Sequence, residues 1–292
     1  MESTVRKELQ PAALIECPRD AMQGWPHFIP TEIKIAYLNL LMQAGFDTLD
    51  FGSFVSPKAI SQLADTKTVA AAINRKNSGT RLLAIVANLR GAREACEFEQ
   101  IDFLGFPFSL SPVFQLRNTN STLEESLERV KEIQKLCQEH HKQLVVYLSM
   151  GFGNPYGDPY NAEILAYWAA QMVDLGISII SLADTVGLAT PGQISFALQT
   201  LIPTYPGVTF GVHLHSTATN RTRKLEAAYS AGCRRFDGAL KGIGGCPMAM
   251  DALVGNMSTE FIIDFLEQKK LPTGLDKTIL SACLEMTEKI FQ

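Results

Sequence analysis

Val212-His213-Leu214-His215 sets two imidazoles two residues apart in a segment that reads as a strand. Side chains at i and i+2 of an extended chain share a face, so both rings are aimed the same way. Such a pair can hold a metal ion, or it can be two hydrogen-bonded core residues on a polar strand face. The spacing alone allows both. The run Val208-Thr209-Phe210-Gly211-Val212 leads into the pair and puts it at the C-terminal end of the strand, where an α/β barrel keeps its chemistry. Of the five histidines, His140 and His141 read as a solvated helix end and His27 as a loop residue. Near the front of the chain, Ile15-Glu16-Cys17-Pro18-Arg19-Asp20 offers a carboxylate just after a short apolar run. A third ligand is therefore available.

The elements that would position these groups follow a βα rhythm. Short β-rich runs at 13–17, 48–51, 82–87, 101–105, 144–149, 177–182, 208–214 and 235–239 alternate with amphipathic segments at about 31–44, 67–74, 92–97, 122–139, 162–175, 192–201 and 220–231. Ser121-Thr122-Leu123-Glu124 fits a helix start with an acidic first turn, and Gly45, Gly176 and Gly232 each follow an apparent helix as a terminating glycine does. Eight right-handed βα units of this size close most economically as a (β/α)8 TIM barrel. That predicts one catalytic domain over 1–292, with the barrel at about 12–256 and two extra C-terminal helices, at about 258–269 and 276–291, in an appendage at 257–292. A doubly wound open sheet is the alternative fold, but no G-x-G-x-x-G follows a strand, and Gly151-Phe152-Gly153-Asn154-Pro155 lacks the third glycine of a phosphate cradle.

A chain of 292 residues with a net charge of −4 and dispersed lysines and arginines argues against a nucleic-acid surface. Cys17, Cys96, Cys137, Cys233, Cys246 and Cys283 are scattered without a C-x-x-C pair, which points to a reducing compartment. No apolar run approaches membrane-spanning length, and the first residues carry no apolar leader; a cytoplasmic protein is expected.

Under the barrel reading, chemically capable residues gather after the strands: Arg19 and Asp20 after the first, Asp50 at the second, Asp184 after the sixth, and the two histidines at the seventh. Asp184-Thr185 can equally cap a turn. Beyond the eighth strand, Lys241-Gly242-Ile243-Gly244-Gly245-Cys246-Pro247 is dense in glycine and ends in a thiol, which is either delivered by a closing loop or buried as a structural cysteine. Asn256 can cap the helix beginning nearby or offer an amide oxygen to a metal.

Glu16-Cys17-Pro18-Arg19-Asp20-Ala21-Met22-Gln23, Gly52-Ser53-Phe54-Val55-Ser56-Pro57-Lys58, Ser181-Leu182-Ala183-Asp184-Thr185-Val186-Gly187, His213-Leu214-His215 and Gly242-Ile243-Gly244-Gly245-Cys246-Pro247 resemble, in this order, the hydroxymethylglutaryl-CoA lyases. These belong to the metal-dependent lyase and aldolase barrels, with the isopropylmalate and homocitrate synthases. The resemblance implies a divalent cation, Mg2+ or Mn2+, held by Asp20, His213, His215 and Asn256. It also implies an Arg19 that polarises a thioester carbonyl, a Cys246 on a mobile loop that takes part in proton transfer, and Asp184 and Asp50 near a substrate hydroxyl. Asp184, Asp50 and His213 are the candidates for taking the hydroxyl proton. The expected reaction is cleavage of 3-hydroxy-3-methylglutaryl-CoA, or a related 3-hydroxy acyl-CoA, to acetyl-CoA and acetoacetate, by a homodimer.

Three departures bear on the substrate. Ala21-Met22 stands where the lyases usually have Gly-Leu, Asp50 where they have Glu, and Ser216 where an acidic residue follows the second histidine. The rival readings are a Claisen-type synthase or an oxo-acid aldolase on the same barrel, and a non-catalytic scaffold, against which Arg19, Asp20, both histidines and Cys246 all speak.

Overall fold

Runs dense in β-branched and aromatic residues, such as Leu144-Val145-Val146-Tyr147-Leu148, are buried on both faces, as strands must be when a parallel sheet is covered by helices. The computed structural model describes residues 11–75, 78–245 and 254–292. Its strands are β1 (Ala13–Glu16), β2 (Thr48–Ser53), β3 (Arg81–Ile85), β4 (Phe103–Ser109), β5 (Gln143–Ser149), β6 (Ile179–Ala183), β7 (Thr209–His213) and β8 (Arg235–Gly238). They pair in chain order, all parallel, and β8 pairs back onto β1 with Ala13 opposite Arg235 and Ile15 opposite Asp237. The expected barrel is the one observed.

The helical jacket comprises α1 (Pro18–Gln23), α2 (Thr31–Ala44), α3 (Thr66–Ala72), α4 (Leu89–Cys96), α5 (Pro112–Thr119), α6 (Leu123–Glu139), α7 (Ala162–Asp174), α8 (Pro191–Thr204), α9 (Arg221–Ser230), α10 (Thr259–Gln268) and α11 (Lys277–Ile290). Their starts are encoded locally. Thr122 accepts from the Glu125 backbone amide while the Glu125 side chain accepts from that of Thr122, and Thr190 with Gln193 repeats this reciprocal cap ahead of Pro191. Gly45, at φ +92°, ends α2 in the left-handed conformation that glycine adopts without strain.

Two helices form where the sequence reading assigns no element. α1 forms directly after β1, with Pro18 in its first turn, and α5 starts at Pro112 with Ser111 capping Phe114. The C-terminal helix α11 packs against α2, where the Tyr37 hydroxyl lies 2.8 Å from the Thr287 hydroxyl. Among the described residues no helix is long and apolar enough to cross a membrane.

The main core lies between strands and helices, from Leu38 and Leu41 to Leu198 and Ile262. Inside the barrel a smaller apolar cluster of Leu83, Phe103, Val145 and Tyr147 is joined by buried polar residues, among them Asp50, Arg235 and Asp237. The pairing of β2 with β3 slips between Asp50 and Gly52, a bulge that bends the strand where Asp50 must meet a partner.

Candidate active site

The helix α1 carries the first part of the site. Its turn places Arg19 and Gln23 four residues apart on one face, and Arg19 Nη1 donates to Gln23 Oε1 at 2.7 Å. The same nitrogen donates to Asp20 Oδ1 at 3.0 Å, while Nε and Nη2 donate to Asp50 Oδ2 at 3.0 and 2.6 Å. The guanidinium is thus fixed by two carboxylates and an amide, using the planar fork that lysine lacks.

From the opposite side, the end of β7 brings His213 and His215. One donor atom each from Asp20, His213 and His215 lie within 4.8 Å of one another, all three residues buried or nearly so. His213 Nδ1 also lies 3.4 Å from Asp237 Oδ2 on β8. Asn256 arrives from beyond β8, bridging to His215 in antiparallel fashion, and its Nδ2 donates to Asp20 Oδ2 at 2.7 Å and to the Ile243 carbonyl at 2.9 Å. It does not cap the following helix: Ser258 does, accepting from Phe261. Its Oδ1 is buried without a hydrogen bond.

These groups suit a divalent cation. Burial opposes charge on Asp20, but the Arg19 charge and then the two histidines outweigh it and hold its pKa at about 2, so the carboxylate is ionised. Burial, with the neighbouring His213, pushes His215 down to about 4, which leaves a neutral imidazole. Burial works against a proton on His213 as well, yet Asp237 and Asp20 on either side raise its pKa above the ordinary value. A carboxylate, two imidazoles and an unpartnered amide oxygen form a hard and borderline donor set for an octahedral ion.

Gly244 makes this assembly possible. Its φ is +106°, and a Cβ there would stand 2.6 Å from Asn256 Nδ2 and 3.0 Å from the Asp20 carbonyl oxygen. At this position the chain passes so close to Asn256 and Asp20 that no side chain fits. Cys246, the thiol expected at its end, lies outside the described residues.

Arg19, Asp20, His213 and His215 open onto a cavity of about 410 Å³ whose other walls include Val55, Ile60, Ile85, Pro107 and Phe114, with the exposed Arg117 and Asn120 beside them. Asp50 sits behind Arg19. Asp184 is buried with both oxygens engaged: Oδ1 accepts from the Ala189 amide at 2.8 Å, and Oδ2 from Lys224 Nζ at 2.6 Å. Lys224, on α9, also donates to the carbonyls of Gly187 and His215, joining the ends of β6 and β7.

The sequence reading gives Lys224, Asp237, Arg235 and Gln23 no role in the site. Arg235 and Asp237 stand at i and i+2 on a strand, the same signal that singles out the histidines, and Arg235 Nη1 donates to Asp237 Oδ1 at 2.8 Å. Lys224 carries no such signal, because one lysine in a polar helix is ordinarily solvated.

The chain matches the HMGL-like family model over residues 14–286. A hydroxymethylglutaryl-CoA lyase of Bacillus subtilis is 34% identical over 274 residues, covering 94% of this chain and 91% of that protein. A 3-hydroxy-3-isohexenylglutaryl-CoA/hydroxymethylglutaryl-CoA lyase of Pseudomonas aeruginosa is 30% identical, covering 89% and 85%. Among solved structures, an HMG-CoA lyase of Acinetobacter baumannii in complex with coenzyme A and 3-methylmalate aligns with a TM-score of 0.89 at 31% identity, over 96% of this chain and 91% of that one. With the barrel and the cluster at its strand ends, these matches place the chain in the HMGL-like family.

Proposed function

We propose that this protein is a carbon–carbon lyase that cleaves 3-hydroxy-3-methylglutaryl-CoA to acetyl-CoA and acetoacetate, with Mg2+ or Mn2+ held by Asp20, His213, His215 and Asn256. The observation that carries this reading is the convergence of the Asp20, His213 and His215 donor atoms within 4.8 Å of one another, beside a guanidinium fixed at the cavity wall. Relatives named for that activity, matching along nearly the whole chain, support it.

In the reaction, the tertiary hydroxyl loses its proton and becomes a ketone, the bond between C2 and C3 breaks, and the electron pair left on C2 is held as the thioester enolate until it is protonated. When bound, the cation supplies charge stabilisation to the hydroxyl oxygen as its proton leaves. Arg19 faces the thioester oxygen that gains charge, and Asp50 and Asp20 keep its planar fork from swinging away. None of the three candidates for the hydroxyl proton is free: Asp50 is committed to Arg19, Asp184 to Lys224, and the lone pair that His213 turns to the cavity to the proposed cation. Neither carboxylate can take a proton without weakening a buried ion pair. Cys246 is assigned the return of a proton to C2, on the strength of the motif it shares with the lyases.

The reading extends to a homodimer, which rests on the family resemblance, and to a cytoplasmic location, which the five described cysteines, all buried free thiols, support. The deciding experiment incubates purified protein and 3-hydroxy-3-methylglutaryl-CoA with Mg2+ or Mn2+, with and without a chelator, and follows acetyl-CoA. Release that depends on metal is expected. A thioester left intact while acetyl-CoA is consumed in the presence of an oxo acid would overturn the lyase reading in favour of a synthase.

A further inference from the structure

Two buried polar atoms at the back of the site, His213 Nδ1 and Asp237 Oδ2, have no hydrogen bond within normal limits, yet they face each other at 3.4 Å. The other Asp237 oxygen is taken by Arg235, which donates from Nη1 at 2.8 Å, and this buried ion pair anchors the carboxylate inside the barrel. Cys17 shares the cluster with His213 and Asp237, but its Sγ turns to the Ile15 carbonyl, 3.9 Å away. Asp237 is therefore the acceptor available to His213 Nδ1 among the described residues.

We propose that Asp237, held by Arg235, is a positioning residue that keeps the His213 proton on Nδ1 and so presents the Nε2 lone pair to the cation site. This rests on the proposed metal site and goes beyond it by assigning a tautomer and the pair of residues that set it. The physical reason is directional. A carboxylate accepts only, so the nitrogen facing it must donate, and a neutral imidazole then has one lone pair left, on the other nitrogen. Arg235 gives the device its polarity. In Asp237→Asn, the amide oxygen must stay toward the Arg235 donor, which turns the NH2 group toward His213. Nδ1 becomes an acceptor, the ring proton moves to Nε2, and the nitrogen aimed at the cation is blocked.

The test uses protein labelled with 15N at its five histidines, metal-free and in alkaline buffer, with His213→Ala identifying the resonances. Long-range 1H–15N spectra of the wild type should show the Nδ1–H tautomer at His213. In Asp237→Asn they should show Nε2–H, and Mn2+ binding by titration calorimetry should weaken by about 10- to 100-fold, the usual effect of losing a partner of a ligand histidine. Adding Arg235→Met frees the amide to turn over, so the double variant should regain Nδ1–H and part of the Mn2+ affinity. A purely structural role would lower the unfolding temperature without moving the proton. Nε2–H in the wild type overturns the proposal without recourse to any variant, as does Asp237→Asn that keeps Nδ1–H or binds Mn2+ within about twofold of wild type. If His213→Ala binds Mn2+ like the wild type, the metal site itself is misassigned and the proposal falls with it.

Discussion

Replacing Glu16 by glutamine should make the protein more stable above neutral pH and leave it nearly unchanged in acid. Glu16 is fully buried at the end of β1, where Oε1 accepts from the Leu240 amide at 2.9 Å and Oε2 from the Thr259 hydroxyl at 2.5 Å. It clamps together the chain just before the glycine-rich stretch and the start of α10, three residues after Asn256. Burial raises its pKa from 4.5 to about 8, against the smaller lowering by Thr259 and Leu240. A folded-state value above the unfolded one means that the neutral form is favoured in the fold. Its contribution is complete below pH 4.5 and is lost as the pH rises through about 8. At about 1.4 kcal/mol for each tenfold change in proton affinity, the loss amounts to about 5 kcal/mol. Glutamine matches the neutral acid: its oxygen accepts from Leu240, its NH2 donates to Thr259, and it does not ionise. Urea unfolding of wild type and Glu16→Gln across this range should give free-energy curves that coincide near pH 4.5 and separate by up to that amount above pH 8. Curves that stay parallel would show that Glu16 remains ionised in the fold and would refute the reasoning.

Arg19→Lys should lower kcat by on the order of 10²-fold or more with little change in KM, because one donor to the developing oxyanion is lost along with the fork that grips Asp50; steady-state kinetics showing a raised KM and an unchanged kcat would reduce Arg19 to substrate binding. Gly244→Ala forces a Cβ into the space of Asn256 Nδ2 and a side chain onto φ +106°, at a strain of about 1–3 kcal/mol. Weakened Mn2+ binding in a protein with an unchanged circular dichroism spectrum is expected, and normal Mn2+ affinity would detach Asn256 from the ion. Cys246→Ser should keep the fold and Mn2+ affinity but lose most turnover, because serine is a far weaker acid; normal turnover would leave the enolate's proton donor to another group.

Much of this was legible in the residue pattern because its causes are local. A strand buried on both faces announces itself as an apolar run, a capped helix by Thr122 and Glu125, and a histidine pair by its spacing of two. α1 escaped because Pro18-Arg19-Asp20 holds too few apolar residues for a helical period to register, although Pro18 in the first turn was a usable sign. α5 escaped in the same way, behind Ser111-Pro112. The charged network beneath the cavity depends instead on which strands become neighbours. His213 and Asp237 are paired across β7 and β8, and Lys224 meets Asp184 across forty residues of chain. No spacing rule links such residues until the barrel closes.

That division has a physical consequence for the site. Each of the groups aimed into the cavity is held from behind or beside: Arg19 by Asp50, Asp20 by Arg19 and Asn256, His213 by Asp237, and His215 through its own backbone carbonyl by Lys224. A buried ion costs several kcal/mol unless it is paired, so the interior charges are tolerable only as a set. Removing one partner should therefore disturb a ligand or the guanidinium before it unfolds the barrel, whose strands are held independently by their ladders and by the apolar layer beneath the helices. Asp50, one methylene shorter than the glutamate of the lyase pattern, reaches Arg19 with both oxygens, next to the register shift in β2 between Asp50 and Gly52. The shorter carboxylate therefore suffices to grip the guanidinium in this chain.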